Sequence, residues 1–293
     1  PGQITDYSGN ELAHAAPISI PDVEDFVIYG AGGQIGAGLN PATLGQGVYQ
    51  LVLELRDITG RNVFQRFNTG FTVVDSVEAL PQNINADKYL SNDKAYILDN
   101  ATTFVREGAT LGIEAGTYVL GQGQTAALVI DRGAMIEALG SPNAPVVFTS
   151  ANSVGDRAPA DWGGLILNGR ARLNVSGGEA EGEGDTGTYG GTDDADSSGV
   201  LRYVRVEFGG TEFSPTNELN GIAFQGVGSG TVIEYVQVHQ NFDDGVEFFG
   251  GNANAKYLYL TGNADDSLDW TDGWRGKAQF VAIQQYTQDA DQG

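Results

Sequence analysis

The feature that most constrains this chain is a short phrase that occurs twice near its C-terminal end. Residues 241–248 read Asn-Phe-Asp-Asp-Gly-Val-Glu-Phe, and residues 263–270 read Asn-Ala-Asp-Asp-Ser-Leu-Asp-Trp. The copies are 22 residues apart, and a looser copy at 217–224 lies 24 residues before the first. A repeat of this length has room for one coil of short strands, which can bury its inner face only against neighbouring coils. The repeat therefore predicts a parallel β-solenoid.

The same register assigns side chains to the two faces of each predicted strand. Successive coils lie about 4.8 Å apart, so matching residues stack on one another. Because side chains alternate along a strand, we expect Val236, Leu258 and Val281 to form one inward stack, and Phe248 to stack on Trp270. The residues predicted to face solvent are Gln237, Tyr259 and Ala282.

The composition narrows the possible partners and chemistries. With 38 acidic and 15 basic residues, the 293-residue chain has a formal net charge of −23, which argues against nucleic acid and anionic membranes and favours cations. There is no cysteine, so disulfides and thiolate metal sites are not available. No run approaches the ~18 apolar residues of a membrane span. His14 and His239 are far apart in sequence, which gives zinc or serine–histidine catalysis little support.

The chain divides into three predicted segments. Residues 1–76 contain four short apolar strands without helices, which predicts a small immunoglobulin-like β-sandwich. Residues 77–95 are predicted to be a linker that becomes a cap, because an open solenoid end exposes strand edges. Residues 96–293 are predicted to form the coils. Residues 291–293 match 243–245 and no strand follows them, so we expect the sequence to be a fragment, truncated at the C-terminal end of the solenoid.

The acidic residues of the repeat predict a metal site. The 22-residue register stacks two Asp-Asp corners and places one further acid on each following strand; the six are Asp243, Asp244, Asp265, Asp266, Glu247 and Asp269. Carboxylates at about 5 Å repel one another, so either some stay protonated or a cation lies among them. Oxygen donors without nitrogen or sulfur suit Ca²⁺. The alternative is that these residues only satisfy backbone groups in turns.

An acidic insertion interrupts the coils at residues 177–198. It contains seven acids, seven glycines and no lysine or arginine. This composition is typical of a flexible, solvated loop. The alternative is a lid that a cation orders, helped by the acids of residues 193–196.

Four motifs of the chain carry a resemblance to known proteins. They are Gly-Ser-Pro-Asn-Ala-Pro-Val-Val-Phe-Thr-Ser at 140–150, Asp-Trp-Gly-Gly-Leu-Ile-Leu at 161–167, Gly-Val-Leu-Arg-Tyr-Val-Arg-Val-Glu-Phe at 199–208 and Asp-Asp-Gly-Val-Glu-Phe-Phe-Gly-Gly at 243–251. Together they resemble a family of bacterial secreted or cell-surface right-handed parallel β-helix proteins in the pectate-lyase-like superfamily. The resemblance implies an all-β chain, with a right-handed parallel β-helix after the β-sandwich. It also implies an extracellular or bacterial cell-surface location.

A shorter sequence motif suggests an enzymatic function as an alternative. Asp-Asp-Ser-Leu-Asp-Trp at 265–270 is similar to the acidic corner motif of calcium-dependent pectate lyases, in which a nearby lysine or arginine abstracts the proton α to the uronate. That resemblance implies Lys277 or Arg275 as the base, with Trp270 and Trp274 as platforms for the sugar.

Two functions are therefore expected. The first is a noncatalytic extracellular module of a surface layer, filament or adhesin, which would bind copies of itself or other surface proteins and could be stabilised by calcium. The alternative is a calcium-dependent polysaccharide lyase or carbohydrate-binding enzyme on the same fold. An enzyme should show basic and aromatic residues converging on a groove, whereas an assembly module should bury exposed patches against copies of itself.

Overall fold

The computed structural model describes residues 3–6, 27–29, 34–36, 46–56, 63–153, 155–214 and 217–286. Within these ranges the chain is built from β-strands, one short 3-10 helix and turns, with no α-helix. None of the described residues forms a helix that is long and apolar enough to cross a membrane.

The N-terminal strands pair antiparallel. They are β1 (Gln3–Asp6), β2 (Val27–Tyr29), β3 (Gln34–Gly36), β4 (Gly47–Arg56) and β5 (Val63–Val73). Strand β4 pairs with both β1 and β5, and β2 pairs with β3. Most of residues 1–45 lie outside the described ranges, so the immunoglobulin-like arrangement of residues 1–76 stays a prediction.

From Val77 onward the chain winds in coils. The first three coils contain β6 (Val77–Ala79), β7 (Asn83–Ile84), β8 (Lys88–Leu90), β9 (Ala95–Asp99), β10 (Thr103–Val105), β11 (Thr110–Ile113), β12 (Tyr118–Ile130) and β13 (Met135–Leu139). Next come β14 (Val146–Ser150) and β15 (Trp162–Asn168), and then the insertion with β16 (Glu179–Glu181), the 3-10 helix (Glu183–Asp185) and β17 (Thr188–Gly190). The remaining strands are β18 (Gly199–Glu207), β19 (Thr211–Ser214), β20 (Asn217–Leu219), β21 (Ile222–Gln225), β22 (Val232–His239), β23 (Val246–Phe249), β24 (Asn254–Thr261), β25 (Leu268–Thr271) and β26 (Ala278–Gln284).

The coils stack into three parallel sheets, which confirms the predicted parallel β-helix. Sheet A contains β6, β9, the start of β12, β14 and the second halves of β18, β22, β24 and β26. Sheet B contains β7, β10, the end of β12, β15, β21, β23 and β25. Sheet C contains β8, β11, β13 and the first halves of β18, β22, β24 and β26.

Parallel pairing begins inside the segment 77–95 that the sequence assigns to a linker and cap. Strand β6 already pairs with β9, and β8 pairs with β11. One proline, several asparagines and several charges gave residues 77–95 the composition of a linker, but such residues are also the ones that coil corners need. The first coil is therefore made from this segment.

The predicted valine and leucine stack is confirmed, whereas the predicted pairing of aromatic rings is wrong. Val236 pairs with Leu258, and Leu258 with Val281. Phe248 pairs with Trp270 along the sheets, yet the side chain of Trp270 is 59% exposed. The ring that covers Phe248 is that of Trp274, at 4.4 Å between centroids. Trp274 donates a hydrogen bond from Nε1 to the carbonyl oxygen of Ala253 at 3.1 Å, and this bond holds the indole inside the last coil.

The insertion folds over the outer face of sheet B. Strands β16 and β17 form an antiparallel hairpin around the 3-10 helix. Tyr189 of the hairpin and Leu219 of β20 are buried against Ile166 and Phe249 of the sheet, in a second apolar cluster separate from the interior of the coils. The insertion is therefore a packed element of the molecule.

Candidate functional site

The acids of the repeat lie where the chain passes from sheet A to sheet B. Asp243 and Asp244 are in the turn between β22 and β23, and Asp265 and Asp266 are in the equivalent turn between β24 and β25. Glu247 of β23 pairs with Asp269 of β25. Both side chains lie on the outer face of sheet B, because the neighbours Val246 and Phe248 are buried in the core. We call these two turns and the strand starts that follow them, residues 243–247 and 265–269, the acidic corner.

Asparagine side chains build the acidic corner. Asn241 donates a hydrogen bond from Nδ2 to the carbonyl oxygen of Asp244 at 2.7 Å, and its backbone N–H donates to Oδ1 of Asn263 at 3.3 Å. The N–H of Asp266 donates to Oδ1 of Asp244 at 3.0 Å, so one turn supports the next. A β-carbon at Gly245 would lie 2.4 Å from Nδ2 of Asn263, so this copy of the repeat needs glycine there, whereas the next copy has Ser267 at the matching position.

Five of the six predicted acids form two overlapping groups. One carboxylate oxygen from each of Asp243, Asp244 and Asp265 lies within 4.8 Å of the others, and the same holds for Asp244, Glu247 and Asp269. Asp244 is buried and belongs to both groups. The side chain of Asp266 belongs to neither of them and is exposed.

Two more acids, which the sequence did not indicate, reach the corner from other elements. Glu183 lies in the 3-10 helix of the insertion and Glu218 in β20, and both raise the pKa of a repeat carboxyl through their charge. The backbone N–H of Gly184 donates to Oδ1 of Asn217 at 2.7 Å, which joins the two elements. Glu218 lies in the looser copy of the repeat, but its position matches Phe242 and not an acid, so the register gave no signal for it.

Burial raises the pKa of four carboxyls at the corner. The pKa of Glu183 rises to about 7, that of Asp243 to about 6, that of Asp244 to about 8 and that of Glu247 to about 9, with burial as the largest cause and neighbouring carboxylates next. Among the described residues, no lysine or arginine is one of the groups that cause these shifts. Near neutral pH Asp244 and Glu247 therefore hold protons unless a cation replaces them.

An asparagine adds a neutral oxygen beside the acids. Asn220 is buried at the position that matches Asp244 in the looser copy, and its Nδ2 donates to Oε2 of Glu247 at 2.7 Å. Its Oδ1 is buried and has no hydrogen-bond partner among the described residues. A buried oxygen without a hydrogen-bond partner costs free energy, so a cation bound to this oxygen would supply the interaction that it lacks.

The comparisons with known proteins agree with the stacked coils. A family model described as a pectate-lyase like beta helix domain matches residues 82–293. The chain belongs to this family. A search of curated proteins and a search of solved structures each returned no match.

In this pectate-lyase-like β-helix, the two residues that the resemblance to pectate lyases implies as catalytic bases lie away from the acidic corner. Arg275 and Lys277 follow β25, whereas the acids precede β25 or lie at its start. Arg275 donates from Nη2 to Oδ1 of Asp194 at 2.7 Å and from Nη1 to Oδ2 at 3.0 Å. These bonds raise the pKa of Arg275 and, together with Arg172, hold the pKa of Asp194 well below its usual range. Lys277 is exposed.

Two acids of residues 193–196, which the sequence suggested as helping a cation-ordered lid, bind arginine residues of the coils. Asp194 joins the insertion to Arg172 and Arg275, and the Asp196 carboxylate accepts a hydrogen bond from the backbone N–H of Arg170 at 2.9 Å. Within the described chain, the insertion contributes Glu183 to the acidic corner and uses these aspartates to hold itself on the coils.

Proposed function

We propose that this pectate-lyase-like β-helix is an extracellular structural module of the kind found in surface layers, filaments or adhesins, and that Ca²⁺ bound at the acidic corner stabilises its last coils. The observation that carries the proposal is the position of Asp244. This buried carboxylate belongs to two three-carboxylate groups, and its pKa is raised to about 8.

The donor set fits Ca²⁺. Calcium takes six to eight oxygen ligands at about 2.3–2.6 Å, so oxygens on opposite sides of one ion are about 5 Å apart. The carboxylate oxygens of each group lie within 4.8 Å of one another. Carboxylates with an amide oxygen such as Oδ1 of Asn220 are the hard donors that Ca²⁺ prefers over softer metals.

The surroundings favour a structural role for such an ion. Extracellular calcium modules bind with dissociation constants of about 10⁻⁴–10⁻³ M, and a site of this kind can hold adjacent elements together. Here the carboxylates of each group come from two successive coils, so one ion would join those two coils. Glu183 of the insertion and Glu218 of β20 add negative charge to the same corner. A net charge of −23 further favours cations at the surface.

Thermal unfolding with and without calcium tests the proposal. A ligand that binds only the folded state adds about 2.7 kcal/mol at a hundredfold excess over Kd, which raises the Tm of a chain of this size by about 4–5 °C. We expect Ca²⁺ to raise the Tm relative to EDTA, and equilibrium dialysis against calcium to find calcium bound to the protein. Light scattering on the same samples measures self-association. An unchanged Tm together with no bound calcium would contradict the proposal and leave these aspartates as turn formers.

A calcium-dependent polysaccharide lyase is the second candidate, favoured by the family that the chain matches. Arg275 is committed to Asp194, which leaves Lys277 as the base to test. Uronate cleavage is measured as the absorbance of the unsaturated product. Cleavage by the wild type that is lost in Lys277→Ala, with calcium stabilisation retained, would promote the lyase to first place.

A further inference from the structure

A channel runs along the outside of the β-helix where sheet C meets sheet A. Strands β18, β22, β24 and β26 bend there at one aromatic residue with positive φ; the four are Tyr203 (φ 50°), Tyr235 (φ 57°), Tyr257 (φ 60°) and Phe280 (φ 62°). These four aromatic residues form the first column of side chains along the channel. Two residues further along the strands lies the second column, which points outward and contains Arg205, Gln237 and Tyr259, paired in register. Between the columns Val204 and Val236 are buried in the core, so backbone forms the floor. Pro142 and Pro145 also line the groove, whose volume is about 410 Å³.

The rings of the first column cover each other's faces. The centroids of Tyr203 and Tyr235 are 4.4 Å apart, as are those of Tyr235 and Tyr257, and the ring planes differ by 10° and 7°. The channel wall is therefore made of ring edges and phenol groups repeated once per coil. Tyr235 is 38% exposed, Tyr257 39% and Tyr259 44%, so three neighbouring aromatic side chains reach solvent on this face.

The walls and floor exclude the usual modes of peptide binding. A peptide that adds a strand needs an open sheet edge, but β18, β22 and β24 each have a parallel neighbour on both sides. A proline-rich peptide needs exposed aromatic faces, and here the stacked neighbours occupy them.

The charge of the channel favours an uncharged ligand. Arg205 is the charged residue of the lining, and its guanidinium pairs with the carboxylate of Glu207 on the same strand. The net charge of −23 repels polyanions. The lining offers apolar ring edges, tyrosine hydroxyls at the coil spacing of about 4.8 Å and the amide of Gln237, which together suit a chain of hydroxyl-rich rings.

We propose that this channel binds a neutral polysaccharide, with the glycan chain parallel to the axis of the β-helix and across the coils of β18, β22 and β24. The channel is a different part of the surface from the acidic corner. Binding is therefore independent of calcium, and the two proposals can fail separately.

Affinity electrophoresis through gels that contain a soluble polymer tests the proposal. The probes are xyloglucan, galactomannan, arabinoxylan and mixed-linkage β-glucan as neutral polymers, and polygalacturonate as the anionic comparison, each in EDTA and in Ca²⁺. The variants are Tyr235→Asn and Gln237→Ala. Asparagine tolerates positive φ, so the first removes a ring without straining the bend, and the second changes only the opposite wall. The matched control is Tyr89→Ala, because Tyr89 is 65% exposed and does not line the channel.

We expect at least one neutral polymer to retard the wild type equally in EDTA and in calcium. The dissociation constant should rise about tenfold in Tyr235→Asn, a loss of about 1.4 kcal/mol, and less in Gln237→Ala, with no change in Tyr89→Ala. Thermal unfolding shows whether each variant is folded. Retardation by none of the neutral polymers, retardation by polygalacturonate alone, or unchanged binding in Gln237→Ala and a folded Tyr235→Asn would overturn the proposal.

Discussion

At the scale of single residues, Asp244 links protonation to stability. Its pKa is raised from an ordinary 3.8 to about 8, chiefly by burial and then by Asp243. A carboxyl whose pKa is raised by folding contributes stability that is fully present below its unfolded pKa and is lost as the pH rises through its folded pKa. We therefore expect the Tm of the metal-free protein to fall between about pH 4 and pH 9, and to fall less in Asp244→Asn.

Calcium should reverse this trend, because the ion competes with protons for the same oxygens and binds more tightly as they leave. The rise in Tm caused by calcium should thus increase with pH in the wild type and be absent in Asp244→Asn. Asp266→Asn is the matched control, since that side chain is outside both carboxylate groups and should keep the full calcium response. Scanning calorimetry in EDTA and in Ca²⁺ across the pH range measures both effects; equal slopes in the wild type and Asp244→Asn would contradict the prediction.

Two aromatic residues of the repeat should differ strongly in their effect on stability. Phe248 is fully buried between the rings of Phe224, at 4.9 Å, and Trp274, at 4.4 Å. Phe248→Ala should lower the free energy of unfolding by about 3–5 kcal/mol. Trp270→Ala should cost much less, because 59% of that side chain is exposed. Urea unfolding of both variants measures the difference, and similar losses would show that the ring of Trp270 is the one that packs in the coil.

At the scale of elements, the insertion should respond to the metal through Glu183. This residue lies at the tip of the hairpin, and burial, followed by the charges of Asp243 and Glu218, raises its pKa. If calcium binds the corner, amide hydrogen exchange in β16 and β17 should slow when calcium is added, because the ion would offset the repulsion between Glu183 and the neighbouring carboxylates. Glu183→Gln should reduce that protection.

Asp185→Asn is the control for this prediction. Asp185 lies in the same 3-10 helix, is exposed, and has a φ of 57°, which asparagine tolerates. It should leave the calcium-dependent protection of β16 and β17 unchanged. Equal loss of protection in both variants would mean that the helix conformation, and not the Glu183 carboxylate, transmits the effect.

At the scale of the whole molecule, the charge of −23 should make stability depend on salt. Like charges destabilise a compact state, and salt shortens the screening length from about 10 Å at 0.1 M to about 3 Å at 1 M. Sodium and potassium chloride should therefore raise the Tm of the metal-free protein equally. Calcium chloride at the same ionic strength should raise it further, since screening and binding then act together. Equal curves for all three salts would leave screening as the whole effect.

The sequence by itself determined the parallel β-helix and most of the acidic corner. A period of 22 residues fixes which residues lie one coil apart, so it places Val236 on Leu258 and brings Asp243 and Asp244 to Asp265 without knowledge of the rest of the chain. The alternation of strands also places Glu247 and Asp269 on the outer face of sheet B. Such relations depend only on the spacing along the chain and on the geometry of paired strands.

Only the tertiary structure decided the contacts that join residues outside this register. Glu183 and Glu218 reach the acidic corner because the insertion and β20 fold over sheet B, and Arg275 is held by Asp194 of the same insertion. Trp274 takes the place on Phe248 that the register assigned to Trp270, because a bond to Ala253 orients its ring. The physical reason is the same in each case: a period constrains residues that repeat, whereas an element packed across the coils brings together residues whose separation in sequence has no fixed value.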